Sequence, residues 1–132
     1  MTSANLAENN FGIPEGVTRV LVVTAHPDDV DFGASGTIAM MTQAGISVTY
    51  CICTDGDAGG FDDSTDRSQI PGIRRLEQTA AANLCGVTDI HFLGYKDGYL
   101  EASHEVQRDI VRVMRKVQPQ LVITQSPERN WE

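Results

Sequence analysis

Four short runs of the chain are almost unbroken in apolar or β-branched residues: Thr18 to Ala25, Ser47 to Cys53, Asp89 to Leu93 and Leu121 to Thr124. Continuous rather than alternating apolar character is what a parallel strand covered on both faces requires, so each run predicts such a strand. The segments between them carry a longer period. Ile73, Leu76, Ala80 and Leu84 recur at spacings of three and four with Gly86 behind them as a stop signal, which predicts a helix with that row turned to the core. Val106, Ile110, Val113 and Val117 predict another, capped by Ser103 and closed by Pro119. A first helix is expected from near Ser35 through Ile38, Ala39 and Met41 to Gly45, a good left-handed terminator. The order β-α-β-α-β-α-β predicts an α/β, Rossmann-like doubly wound fold: a mainly parallel sheet with helices on both faces. In such sheets ligands bind beyond the carboxyl ends of the strands, where His26, Asp55, the Lys96–Asp97 loop and the Ser126–Pro127 loop all fall.

The 132 residues suit a single domain, expected over 18–132 behind an N-terminal tail over 1–17. Ten Lys and Arg against 18 Asp and Glu leave a net charge of −8, which argues against a nucleic-acid or anionic-membrane partner and in favour of a small molecule. Part of that acid is concentrated in Asp55, Asp57, Asp62, Asp63 and Asp66, a solvated Gly-rich loop by its composition. It makes a poor calcium loop, with Gly59 at the fifth position and Asp66 instead of Glu at the twelfth. Three cysteines, two of them inside an apolar run, read as reduced thiols and a cytoplasmic protein, and Cys51-Ile52-Cys53 is not zinc spacing. The first ten residues lack the basic start and apolar run of a signal peptide, and no stretch approaches membrane-spanning length. Oligomeric state is left open.

The chemistry concentrates at Ala25-His26-Pro27-Asp28-Asp29, directly after Val20–Val23. His26 and Asp29, three residues apart across a turn, offer an imidazole and a carboxylate, both standard zinc ligands. Asp28 and Asp29 repel each other unless a cation or a shared proton separates their roles. The same residues also suit a polar turn that caps the following helix, and spacing alone leaves both readings open. His91, within a strand, and His104, at a helix start, do not face the carboxyl edge. Gly33 and Gly36 are expected to let the chain pass close to the metal turn as the helix opens. Neither a G-x-G-x-x-G nor a Lys-containing phosphate loop occurs.

From Ala25 to Thr37 the sequence A-H-P-D-D-V-D-F-G-A-S-G-T resembles the signature of the LmbE-like, PIG-L-type N-acetylglucosaminyl deacetylases. Thr54-Asp55-Gly56, Arg74-Arg75-Leu76-Glu77 and Tyr95-Lys96-Asp97-Gly98 look like that family's later turn, R-x-x-E and D-G motifs, so the likeness runs in order from Val20 to Pro127. The resemblance implies a zinc-dependent hydrolase that removes acetyl from an amino sugar. It makes His26 and Asp29 zinc ligands and Asp28 the general base, and gives Arg74 and Asp97 contacts to substrate hydroxyls or an anionic substituent. Two departures matter. Ala34-Ser35-Gly36 stands where the family has a double glycine, a mild change. The family also carries a second motif, close to H-P-D-H, that supplies the third zinc ligand and a histidine for the intermediate; Pro127 to Trp131 resemble only the approach to it. A domain incomplete at its C-terminus, inactive alone, is therefore expected. The competing reading is a metal-free Rossmann-like module that binds a small ligand, and a third ligand at the carboxyl edge separates the two.

Overall fold

The computed structural model describes residues 12–60 and 62–128. Within them β1 (Arg19–Thr24), β2 (Ser47–Thr54), β3 (Asp89–Tyr95) and β4 (Leu121–Thr124) form one parallel sheet in the order β3-β2-β1-β4. Parallel neighbours need crossovers, and helices supply them: α1 (Asp29–Gly33) and α2 (Ser35–Gln43), then α3 (Ile70–Leu84), then α4 (His104–Val117). The doubly wound fold expected from the alternation is the fold observed. Strand order reverses between β1 and β4, so the topological switch point lies at the carboxyl ends of those two strands.

The pleat explains the unbroken apolar runs. Val20 and Val22 of β1 pair in register with Val48 and Tyr50 of β2. With Ile52 they pack against Val30 of α1, Ile38 and Met41 of α2, and Ala82 of α3. Leu21 and Val23, one residue out of phase, join Cys51 and Cys53 on the opposite face, where Val113 of α4 covers them. Each fully buried aliphatic side chain of this kind stabilises the fold by about 1.5–3 kcal/mol. The flanking strand β4 is less enclosed: Leu121 and Ile123 are half-buried, whereas Val122 and Thr124 are exposed.

Several expectations are met in detail. The Ser103 hydroxyl accepts from the Val106 N–H at 3.3 Å and caps α4, and Gly45 takes the left-handed conformation (φ 85°) after α2. Others are corrected. A short helix, α1, precedes α2 and begins at Asp29, immediately after the acidic turn. On α3 the expected core row does not face the core: Leu76 is 74% and Leu84 89% exposed, and the buried residues are Ile70, Gln78 and Ala82. The reason is polar. Gln78 is bonded inward to the turn after β1, a contact that hydropathy cannot encode.

Residues 1–11 of the expected tail lie outside the described residues, and Ile13 and Val17 pack against the core. Arg129, Asn130 and Trp131 of the expected motif approach also lie outside them. Among the described residues no helix is long and apolar enough to cross a membrane.

Candidate active site

β1 ends at Thr24, and the chain turns through Ala25 to Asp28 before α1 begins. The turn is fastened to β2 because the backbone N–H and the hydroxyl of Thr54 both donate to the Ala25 carbonyl, each at 2.8 Å. Asp28 then adopts φ 68°, a left-handed conformation that costs a non-glycine residue about 1–3 kcal/mol. The two adjacent acids meet different partners as a result. Asp28 Oδ2 accepts from Arg74 Nη2 at 2.9 Å, whereas Asp29 Oδ2 accepts from the His26 backbone N–H at 2.8 Å and from Gln125 Nε2 at 3.0 Å. The repulsion expected between neighbours is thus relieved by separate cationic and hydrogen-bonding surroundings.

His26 lies between two carboxylates. Its Nδ1 is 3.3 Å from Asp29 Oδ2 and its Nε2 is 2.8 Å from Asp97 Oδ1. A neutral imidazole has one N–H, so one of these contacts sets a lone pair against a carboxylate unless a proton or metal ion intervenes. Asp97 reaches the site from the loop after β3, where its backbone N–H donates to Asp57 Oδ1 at 2.9 Å. The carboxyl ends of β1, β2 and β3 therefore all contribute to one site, and Gln125, directly after β4, completes the row.

Arg74 is held closely. Besides Asp28, it donates to the Pro27 carbonyl at 3.3 Å and to Glu77 Oε2 at 3.3 Å, and its Nε is buried without a hydrogen-bond partner among the described residues. Gly56 makes room for it. A Cβ at Gly56 would stand 3.0 Å from Pro27 Cδ and 3.3 Å from Arg74 Nε, and the residue's φ of 63° lies in the left-handed region that favours glycine. The close approach expected at Gly33 and Gly36 is not there: a Cβ at either would have open space around it. The neighbouring Arg75 bonds Asp55 at 3.1 Å and lies over the Phe92 ring, bracing the loop after β2.

Burial pushes the Asp31 carboxyl above its ordinary range; the hydrogen bond from Gln78 works against this, and the charge on Asp28 adds to it. A cleft of about 210 Å³ opens at the switch point, with Thr24, Asp29, Val30, Ile123 and Gln125 in its wall.

His26 and Asp29 offer the donor types that zinc takes, but they are a pair and not a full set. Among the described residues no three His, Cys, Asp or Glu side chains are arranged to hold a metal ion. Asp97 cannot complete the pair as it stands, because it contacts the ring nitrogen opposite the one near Asp29. His91 Nε2 lies 3.2 Å from Asp89 Oδ1 near the start of β3, and His104 opens α4. Two residues went unread in the sequence. Gln78, four residues after Arg74 and so on the same helix face, accepts from the Asp28 N–H at 2.6 Å; that spacing was a usable signal. Gln125 accepts from the Ala25 N–H at 2.9 Å while donating to Asp29, and its place just past β4 at the switch point was the only hint.

The family model described as PIG-L, GlcNAc-PI de-N-acetylase, matches residues 21–131. The diacetylchitobiose deacetylase of Thermococcus kodakarensis is 38% identical over 134 residues, covering 98% of this chain and 50% of that protein. Among solved structures, the N,N'-diacetylchitobiose deacetylase from Pyrococcus horikoshii superposes with a TM-score of 0.86 at 33% identity, covering 98% of this chain and 50% of that one. The 4-carboxy-2-hydroxymuconate hydratase from Pseudomonas putida gives a TM-score of 0.79 at 25% identity, covering 87% of this chain and 50% of that one. The chain thus spans about half the length of the relatives it matches.

Proposed function

The chain belongs to the PIG-L, GlcNAc-PI de-N-acetylase family, and from that premise we propose that it serves a zinc-dependent hydrolase that removes the N-acetyl group from an amino sugar or glycoside. One observation carries the reading: two adjacent carboxylates are divided between an imidazole and a guanidinium, Asp29 with His26 and Asp28 with Arg74. A fold shared with a hydratase cannot decide chemistry by itself, and the division of roles at the turn is what favours hydrolysis.

His26 and Asp29 would hold the zinc, with the remaining protein ligand coming from outside the described residues. When bound, zinc supplies a Lewis acid that polarises an amide carbonyl and lowers the pKa of a water to about 7. Asp28, beside that pair but bonded away from it, takes the proton of the attacking water and returns it to the departing amine. Arg74 fixes the Asp28 carboxylate for both transfers. Asp97, through the oxygen it does not give to His26, and Arg74 are the groups we assign to substrate hydroxyls or an anionic substituent. A cytoplasmic setting agrees with three free cysteines.

The test is direct. The full-length protein, stripped of metal and reloaded with zinc, is given N,N'-diacetylchitobiose and N-acetylglucosamine, and acetate is measured. Zinc-dependent acetate release from either sugar is the expected result; sugar binding with no acetate released under any metal would instead support a binding module and overturn the hydrolase reading.

A further inference from the structure

We infer that Gln78 is a positioning residue for the base: its side-chain amide holds Asp28 in the left-handed conformation that aims the carboxylate at Arg74. The inference rests on the assignment of Asp28 as the base. Among the described residues only two non-glycines have positive φ, Asp28 and Gln118. Gln118 ends α4, where a left-handed residue is common. Asp28 stands instead at the start of α1, where an extended residue with a capping side chain is usual, and it makes no such cap. Something outside the turn must hold it.

Gln78 is the group in place to do so. It is 1% exposed, its Oε1 accepts from the Asp28 N–H at 2.6 Å, and its Nε2 donates to both Asp31 oxygens at 3.3 and 3.2 Å. One amide therefore clamps the turn at its last residue and again in the first turn of α1. On α3 the other buried side chains, Ile70 and Ala82, are apolar, so an amide at this depth is tolerated only because both of its ends are bonded. An apolar side chain of similar length would fill the same space and leave the Asp28 N–H with no protein acceptor.

The experiment uses the full-length, zinc-loaded protein with Gln78→Met, Gln78→Glu and Gln78→Asn, alongside Asp28→Asn. Gln78→Met should lower kcat about 10- to 100-fold, as misplacement of a reacting group does, while KM and zinc content stay at wild-type values. Hydrogen exchange at the Asp28 amide, followed residue by residue, should speed up in the same variant. Gln78→Asn, one methylene shorter, should lose the Asp28 contact and show the same fast exchange and lowered kcat, whereas Gln78→Glu, which keeps the acceptor but replaces the donor to Asp31 with a carboxylate oxygen, should keep the slow exchange at Asp28 better than Gln78→Met does. Wild-type kcat in a folded Gln78→Met protein would overturn the inference. So would an Asp28 amide that exchanges at the wild-type rate in that variant. If Gln78→Met does not fold, Gln78→Asn decides on the same two readouts. The Asp28→Asn control keeps the two ideas apart: full activity there removes the base assignment, whereas an inactive Asp28→Asn beside an active Gln78→Met removes the positioning role alone.

Discussion

The turn after β1 and residues 62–66 of the loop after β2 are both rich in aspartate, yet their carboxylates are used in opposite ways; Asp55 and Asp57, nearer the strand, behave like the turn, since they accept from Arg75 and from the Asp97 N–H. In the loop, Asp62 accepts from the Ser64 N–H at 2.9 Å and from the Thr65 hydroxyl at 3.2 Å, and Asp66 accepts from the Ser68 N–H at 2.9 Å. Every one of those bonds closes within three residues. In the turn, Asp28 reaches Arg74 on α3, and Asp29 reaches Gln125 beyond β4. Local bonds shape a loop; bonds from distant elements fix a side chain in the frame of the whole domain. The comparison teaches that acid content alone does not mark a site. What marks it is carboxylates whose partners arrive from elsewhere in the chain, at some cost in backbone strain.

Breaking the turn should therefore have the largest effects. His26→Ala or Asp29→Ala in the full-length protein is expected to abolish stoichiometric zinc and, with it, acetate release, both measurable on one preparation. Next come Arg74 and Asp97. If they orient sugar, Arg74→Ala and Asp97→Ala will reduce turnover of the preferred sugar far more than of a minimal acetamide, because contacts remote from the reacting centre contribute to catalysis there. Equal losses on both substrates would mark them as supports for Asp28 and His26 only. A smaller effect is expected one step further out. Gln125→Ala removes the donor to Asp29 and should weaken zinc binding about 10- to 100-fold, the usual consequence of losing a group that orients a ligand. Zinc affinity equal to wild type would show that Asp29 needs no such brace.

Breaking the loop should matter least. The Ser64 hydroxyl and N–H, with Thr65, hold the Asp62 carboxyl below its usual range, so its contribution to stability is present above that range and is lost as pH falls through the lowered value. Asp62 is exposed. Asp62→Ala should consequently lower Tm slightly at neutral pH, by less as the solution is acidified, and leave zinc content and turnover unchanged. A large loss of turnover would erase the distinction between the two regions.

The same contrast explains what could be read from the residues. The strands were legible because β1 and β2 are central and buried on both faces, which writes Val20 to Val23 and Val48 to Cys53 as continuous apolar runs. The face of α4 was legible because Ile110, Val113 and Val117 meet the core by apolar packing alone. The face of α3 was not, since a buried amide sets its rotation and leaves Leu76 and Leu84 outside. At the site, His26, Asp28 and Asp29 announced themselves by crowding ligands and acids at a strand end. Gln78 and Gln125 gave no such sign, because an amide carries no charge and its value here lies in bonds to residues 50 and 96 positions away.

The central claim is that adjacent carboxylates at the turn hold separate tasks, Asp29 binding zinc and Asp28 moving protons. The most direct measurement pairs zinc content with acetate release in full-length Asp28→Asn and Asp29→Asn proteins. Asp28→Asn should keep wild-type zinc and lose about 10²- to 10⁴-fold in turnover, the range expected for removal of a general acid-base group, whereas Asp29→Asn should lose the zinc itself. An Asp28→Asn protein that retains full turnover, or an Asp29→Asn protein that retains its zinc, would contradict the claim.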